Sequence, residues 1–169
     1  MTGTERVPQA DLGSERLYLR HLVATIAYRG GKVLRDAPEG FGDVSAGGGA
    51  RSAVEILAHM GDLFDWGLAL ADGEHRWKDT HSDDWDGQVA RFFAGVAAVD
   101  ARLAASEPLG RSALRMVQGP FADTLTHIGQ LAMLRRLAGS PVRGENYFKA
   151  AIQVGVVGAD QAPPSMEFD

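Results

Sequence analysis

Four stretches of the chain repeat apolar residues at three- and four-residue spacing, the pattern of helices with one buried face. In the first, Ser14 can cap a helix over about residues 14–36, with Leu19, Leu22, Ile26 and Val33 on one stripe. Gly30 and Gly31 weaken it by about 1 kcal/mol each relative to alanine and mark a place to bend. The second opens on the capping-box pattern of Ser52 and Glu55, and its stripe is Leu57, Met60, Phe64 and Leu68, to about residue 71. The third begins at Ser82 with Asp83 and Asp84 behind it, and carries Trp85, Val89, Phe92, Phe93, Val96 and Leu103 to about residue 105. The fourth is marked at both ends. Gly119 is a candidate cap and Pro120 suits the first helical position, while Arg135 and Arg136 favour the negative end of the helix dipole. Gly139 supplies a left-handed terminator and Pro141 blocks continuation.

The segments between carry turn chemistry. Residues 37–50 are rich in glycine, and 72–81 form a polar crossover containing His75, Trp77 and His81. Residues 106–118 read as a short extended stretch. Residues 1–13 read as a flexible arm, and 142–169 as a C-terminal extension whose first part packs on the helices and whose last ten residues are loose. The fold class expected is therefore all-α, a four-helix bundle forming a single domain over 1–169. Phe121, Leu125 and Ile128 lie away from Asp123 and His127, so the fourth helix is apolar nearly all round. Such a helix needs cover on two sides, from the extension or a second subunit, and a homodimer is the expectation.

Composition narrows the function. A net charge of −5 argues against a nucleic-acid surface. No apolar run reaches the ~18 residues a membrane span needs, and the first residues lack the apolar core of a secretory signal. The reading is a cytoplasmic protein. With no cysteine there is no disulfide frame, thiolate metal site or cysteine nucleophile.

The chemistry left to place is imidazole and carboxylate. Asp123 and His127, four residues apart, project from one helix face, with Gln130, Leu131 and Leu134 on the same side. On the second helix His59 sits at the margin of the apolar arc near Ile56, Leu63, Trp66 and Leu70, whereas Asp62 and Asp65 fall toward the polar side. Inward side chains on facing helices build metal sites in bundles. His59, Asp123 and His127 thus form a candidate site for a divalent ion, with Zn, Ni and Fe all suited to two imidazoles and a carboxylate. Open coordination positions would let the ion lower the pKa of a water or a thiol. Gln130 is placed to hydrogen-bond a ligand, or to pack. Glu55 reads as a cap, His21 as an alternative third ligand, and His75 and His81 as surface residues. Trp66 reads as a core anchor and Trp77 as a loop anchor.

Two segments resemble a known family. RSAVEILAHMGDLFDW resembles the second helix of the DinB-like (YfiT-like) metalloenzymes, and DTLTHIGQLAMLRRLAGSP is similar to their fourth. Carried over position by position, His59 matches the first metal ligand and His127 the last. Asp123 stands where many members have histidine, and Ile128 where arginine is common. The mycothiol-dependent maleylpyruvate isomerase branch uses a carboxylate at the position of Asp123, usually glutamate. The resemblance implies a bacterial, cytoplasmic, homodimeric enzyme acting on a small molecule, with a low-molecular-weight thiol as a partner in S-transfer, isomerisation or hydrolysis. The competing expectation is a metal-poor helical protein that binds a small ligand or a second subunit without catalysis.

Overall fold

A computed structural model of the chain describes residues 12–168. Most of these are helical: α1 (Leu12–Leu34), α2 (Ala53–Ala71), α3 (Trp85–Ala104), the single turn α4 (Ala113–Met116) and α5 (Ala122–Leu137). The described strands are β1 (Gly144–Glu145) and β2 (Glu167–Phe168), which pair antiparallel. Both α1 and α2 pack on α3 and on α5, so four long helices close a ring around one core. Leu57, Phe64, Phe92, Phe121 and Leu131 fill it. The all-α class follows the apolar spacing. No described helix is long and apolar enough to cross a membrane.

The helix starts show where local signals misled. Leu12 and Gly13, placed by the sequence in an arm, belong to α1; the rest of that expected arm lies outside the described residues. Gly30 and Gly31 do not break α1. A Cβ on Gly30 would sit 3.0 Å from Phe92 Cε1, so the glycine permits α1 to approach α3 closely. The capping box of α2 forms as expected, with Ser52 Oγ accepting from the Glu55 amide and Glu55 Oε2 accepting from the Ser52 amide. At α3 the cap is Asp84, whose Oδ1 accepts from the Gly87 amide at 2.9 Å, and Ser82 only braces the Asp84 amide.

The largest departure precedes α5. Gly119 is not its cap. The chain is already helical at α4, where Ser112 is the cap, and Gly119-Pro120 lie inside a π-type turn, Val117–Phe121. Met116 and Phe121 are both fully buried, and this wide turn lets both point inward across a proline that has no amide to donate. Thr124 Oγ1 donates to the Pro120 carbonyl at 2.7 Å. The stretch 106–118 is therefore partly helical rather than extended.

Side chains then lock the ends together. Arg135 is buried and donates to the Val33, Arg35 and Asp36 carbonyls, satisfying the acceptors left open at the end of α1. Gly139 takes the left-handed conformation expected after α5, at φ 73°. The last described residues are not loose: β2 pairs with β1, and Glu145 is buried against α1, where it accepts from Tyr28 Oη at 2.7 Å and Lys32 Nζ at 2.8 Å. Lys32 also reaches Glu167 at 2.8 Å. Phe121 and Ile128 are buried by α1 and α2 of the same chain, so that side of α5 needs neither the extension nor a second subunit to cover it.

Candidate metal centre

The three sequence-selected donors meet. His59 comes from the middle of α2, Asp123 and His127 from the first turns of α5, and a donor atom from each lies within 4.8 Å of the others. Asp123 faces one imidazole with each oxygen: Oδ1 is 3.4 Å from His127 Nε2 and Oδ2 is 3.7 Å from His59 Nε2. The two rings stand at 88°, with centroids 4.7 Å apart. The histidine side chains are 14% and 10% exposed and that of Asp123 is 47% exposed, so the carboxylate is the solvent-facing corner.

These spacings are long for hydrogen bonds, which favour about 2.7–3.2 Å. They suit donors around a shared centre. Bonds of about 2.0–2.2 Å to a tetrahedral ion place neighbouring donors roughly 3.3–3.6 Å apart. Protonation agrees. Burial lowers the His59 pKa below the ordinary 6.5, with the positive fields of His127 and Arg51 adding to it and Asp123 offsetting only part. His59 is therefore a neutral imidazole at pH 7, the form that ligates metal. His127 Nδ1 lies 2.8 Å from Gln130 Oε1. With the amide oxygen as acceptor, Nδ1 carries the proton, which leaves Nε2 as the ring nitrogen that faces Asp123. The residues present thus fit a divalent cation.

Gln130, three positions beyond His127, is bonded to the histidine and is the orienting residue of this cluster. Gln130→Leu is expected to weaken divalent-ion affinity by roughly ten- to a hundredfold with little loss of stability, because Gln130 is exposed. Competition with a chelating dye measures this. His59 has no such support, since its Nδ1 is buried without a hydrogen-bond partner.

The other sequence candidates fall away from the centre. Glu55 is a cap, His21 is exposed on α1, and His75 and His81 are exposed in the crossover. Asp62 corrects the sequence reading most sharply. It is 1% exposed rather than on a polar face, and it makes no hydrogen bond to His59 Nδ1. It accepts from the Thr80 amide and hydroxyl and from Arg91. Burial opposes its ionisation, but these donors outweigh burial and hold its pKa below the ordinary 3.8. Trp77, expected only to anchor its loop, packs edge-on against His59 at 5.5 Å between centroids.

Beside the donors lies a cavity of about 470 Å³ walled by Ile56, Met133 and Leu134, with His127 and Gln130 on its floor. Larger hollows beside Arg16 and beside Trp85 touch none of the three donors. Sequence reasoning did not single out Arg51, which borders this cavity. The signal available was a basic residue directly before a capping box, where the helix dipole disfavours it. Comparison with known proteins finds no match to this chain among family models, curated proteins or solved structures.

Proposed function

We propose that the chain is a metal-dependent enzyme whose divalent ion is held by His59, Asp123 and His127, with the four long helices forming a bundle of the DinB-like kind. The observation carrying this reading is the convergence of two imidazoles and one carboxylate, none bonded well to another, beside an apolar cavity. A divalent ion bound there would supply Lewis acidity and would lower the pKa of a water or thiol beside it. The chain's own residues do the rest. Burial keeps His59 neutral, Gln130 holds the His127 ring in register, and Asp123 contributes negative charge. Ile56, Met133 and Leu134 offer an apolar bed that keeps water from a substrate. Zn, Ni and Fe all suit this donor set. The small-thiol partner, the reaction class of S-transfer, isomerisation or hydrolysis, the homodimer and the cytoplasmic location belong to this proposal and rest on the resemblance of the second and fourth helices alone.

Metal analysis of the full chain, purified without a nickel column, tests the reading. The expected result is about one divalent ion per chain, removed by a chelator and restored by Zn²⁺. Retention of less than about a tenth of an ion per chain after such reloading overturns it and leaves the metal-free ligand-binding protein.

A further inference from the structure

The cavity beside the metal donors has one charged wall. Arg51 borders it opposite α5, is exposed, and forms no hydrogen bond or ion pair among the described residues. It stands directly before Ser52, the cap of α2, where a cation opposes the positive end of the helix dipole. By contrast Arg135 and Arg102, each in the last turn of a helix, are employed by carbonyls. Within the chain Arg51 is left with only the long-range attraction of the capping carboxylate Glu55, against the unfavourable helix dipole. Its position is also specified: Gly47, Gly48 and Gly49 all have left-handed φ, between 62° and 80°, a path that side-chain-bearing residues rarely follow. That path brings Ala46, Ala50 and Arg51 over the cavity as its outer wall.

We propose that this cavity is the substrate pocket and that Arg51 is its anion-binding residue, so that the molecules taken carry a carboxylate on a small apolar body. The pocket's status as a substrate site rests on the metal reading above; the anion subsite itself does not. Several features select that chemistry. The walls are aliphatic apart from Arg51 and the floor pair, so most of the occupant is apolar. One guanidinium balances one charge and presents paired donors that match a planar carboxylate. Arg51 is the one basic side chain in the lining, so the chain's own groups offer a dianionic phosphate only half of its charge balance. A volume of about 470 Å³ suits a small molecule rather than a polymer segment.

Isothermal titration with octanoate, and with octan-1-ol as its uncharged counterpart, on Zn²⁺-loaded and chelator-treated full-length protein tests this. In wild type octanoate binds in both states. Arg51→Met, which keeps the apolar stem, weakens octanoate by at least about tenfold in both and leaves octan-1-ol unchanged. Arg51→Lys recovers part of the loss, a rescue that separates charge recognition from a change of shape. Octanoate binding that survives Arg51→Met, or that disappears with the metal regardless of residue 51, overturns the proposal and makes the carboxylate a metal ligand instead. Arg51-dependent binding in a chain that takes up no metal supports the anion subsite while the metal reading fails.

Discussion

His127→Ala is expected to lower divalent-ion affinity by more than about a hundredfold while the helices remain folded. His127 is the donor whose orientation is enforced, through Gln130 at 2.8 Å. Without it, His59 and Asp123 retain two donors from two different helices, one of them half exposed. Losing an orienting residue alone costs roughly ten- to a hundredfold, and losing the donor costs more. The imidazole is buried at the edge of the core rather than in its centre, so circular dichroism should show the same helix content. Affinity within threefold of wild type would mean that the ion, if bound, is held elsewhere.

Glu145→Ala is expected to cost about 3–5 kcal/mol, toward the lower end of that range, read by urea unfolding at pH 7. The substitution leaves Lys32, whose side chain is 7% exposed, with Glu167 as its remaining partner, and strands the Tyr28 hydroxyl. The effect depends on pH. Burial pushes the Glu145 carboxyl up, but hydrogen bonds from Lys32 and Tyr28 outweigh it and hold the folded pKa below the ordinary 4.5. Below pH 4.5 the unfolded chain takes up this proton first, so the contribution is complete above that value and fades as pH falls through the folded pKa. Wild type and variant should therefore converge in acid. A gap that stays constant from pH 7 to pH 3 would assign the loss to packing alone.

Helix existence and the Asp123–His127 pair were legible because both depend on local spacing. His59, from another helix, was joined to them by its place at the margin of the apolar arc and by the resemblance of the second helix. Stripes such as Leu57, Met60, Phe64 and Leu68 announce a helix, and a four-residue step from Asp123 to His127 puts two donors on one face whatever surrounds them. What could not be read depended on partners far along the chain. Asp62 looks solvent-facing on a helical wheel, yet Thr80 and Arg91 arrive to bury it. Phe41, inside a glycine-rich segment that reads as loop, fills the core with Trp85 set edge-on against it at 5.1 Å. Gly119-Pro120 is a strong helix-start signal, and it misplaced the boundary because burial of Met116 and Phe121 outweighed it. Glu145 and Glu167 read as tail charges until Lys32 is seen between them.

Trp77 leans on His59 and also on Trp66, while its neighbours Lys78 and Thr80 are bonded to Asp65 and Asp62 of α2. Peeling that strip back would take two of the donors from the Asp62 carboxylate and leave it to Arg91 alone. Trp77 therefore stays seated against His59, and the donors can be reached from two directions: past the glycine loop, and by way of the half-exposed Asp123 carboxylate, where a hollow of about 440 Å³ bordered by Trp66 and Gly119 opens.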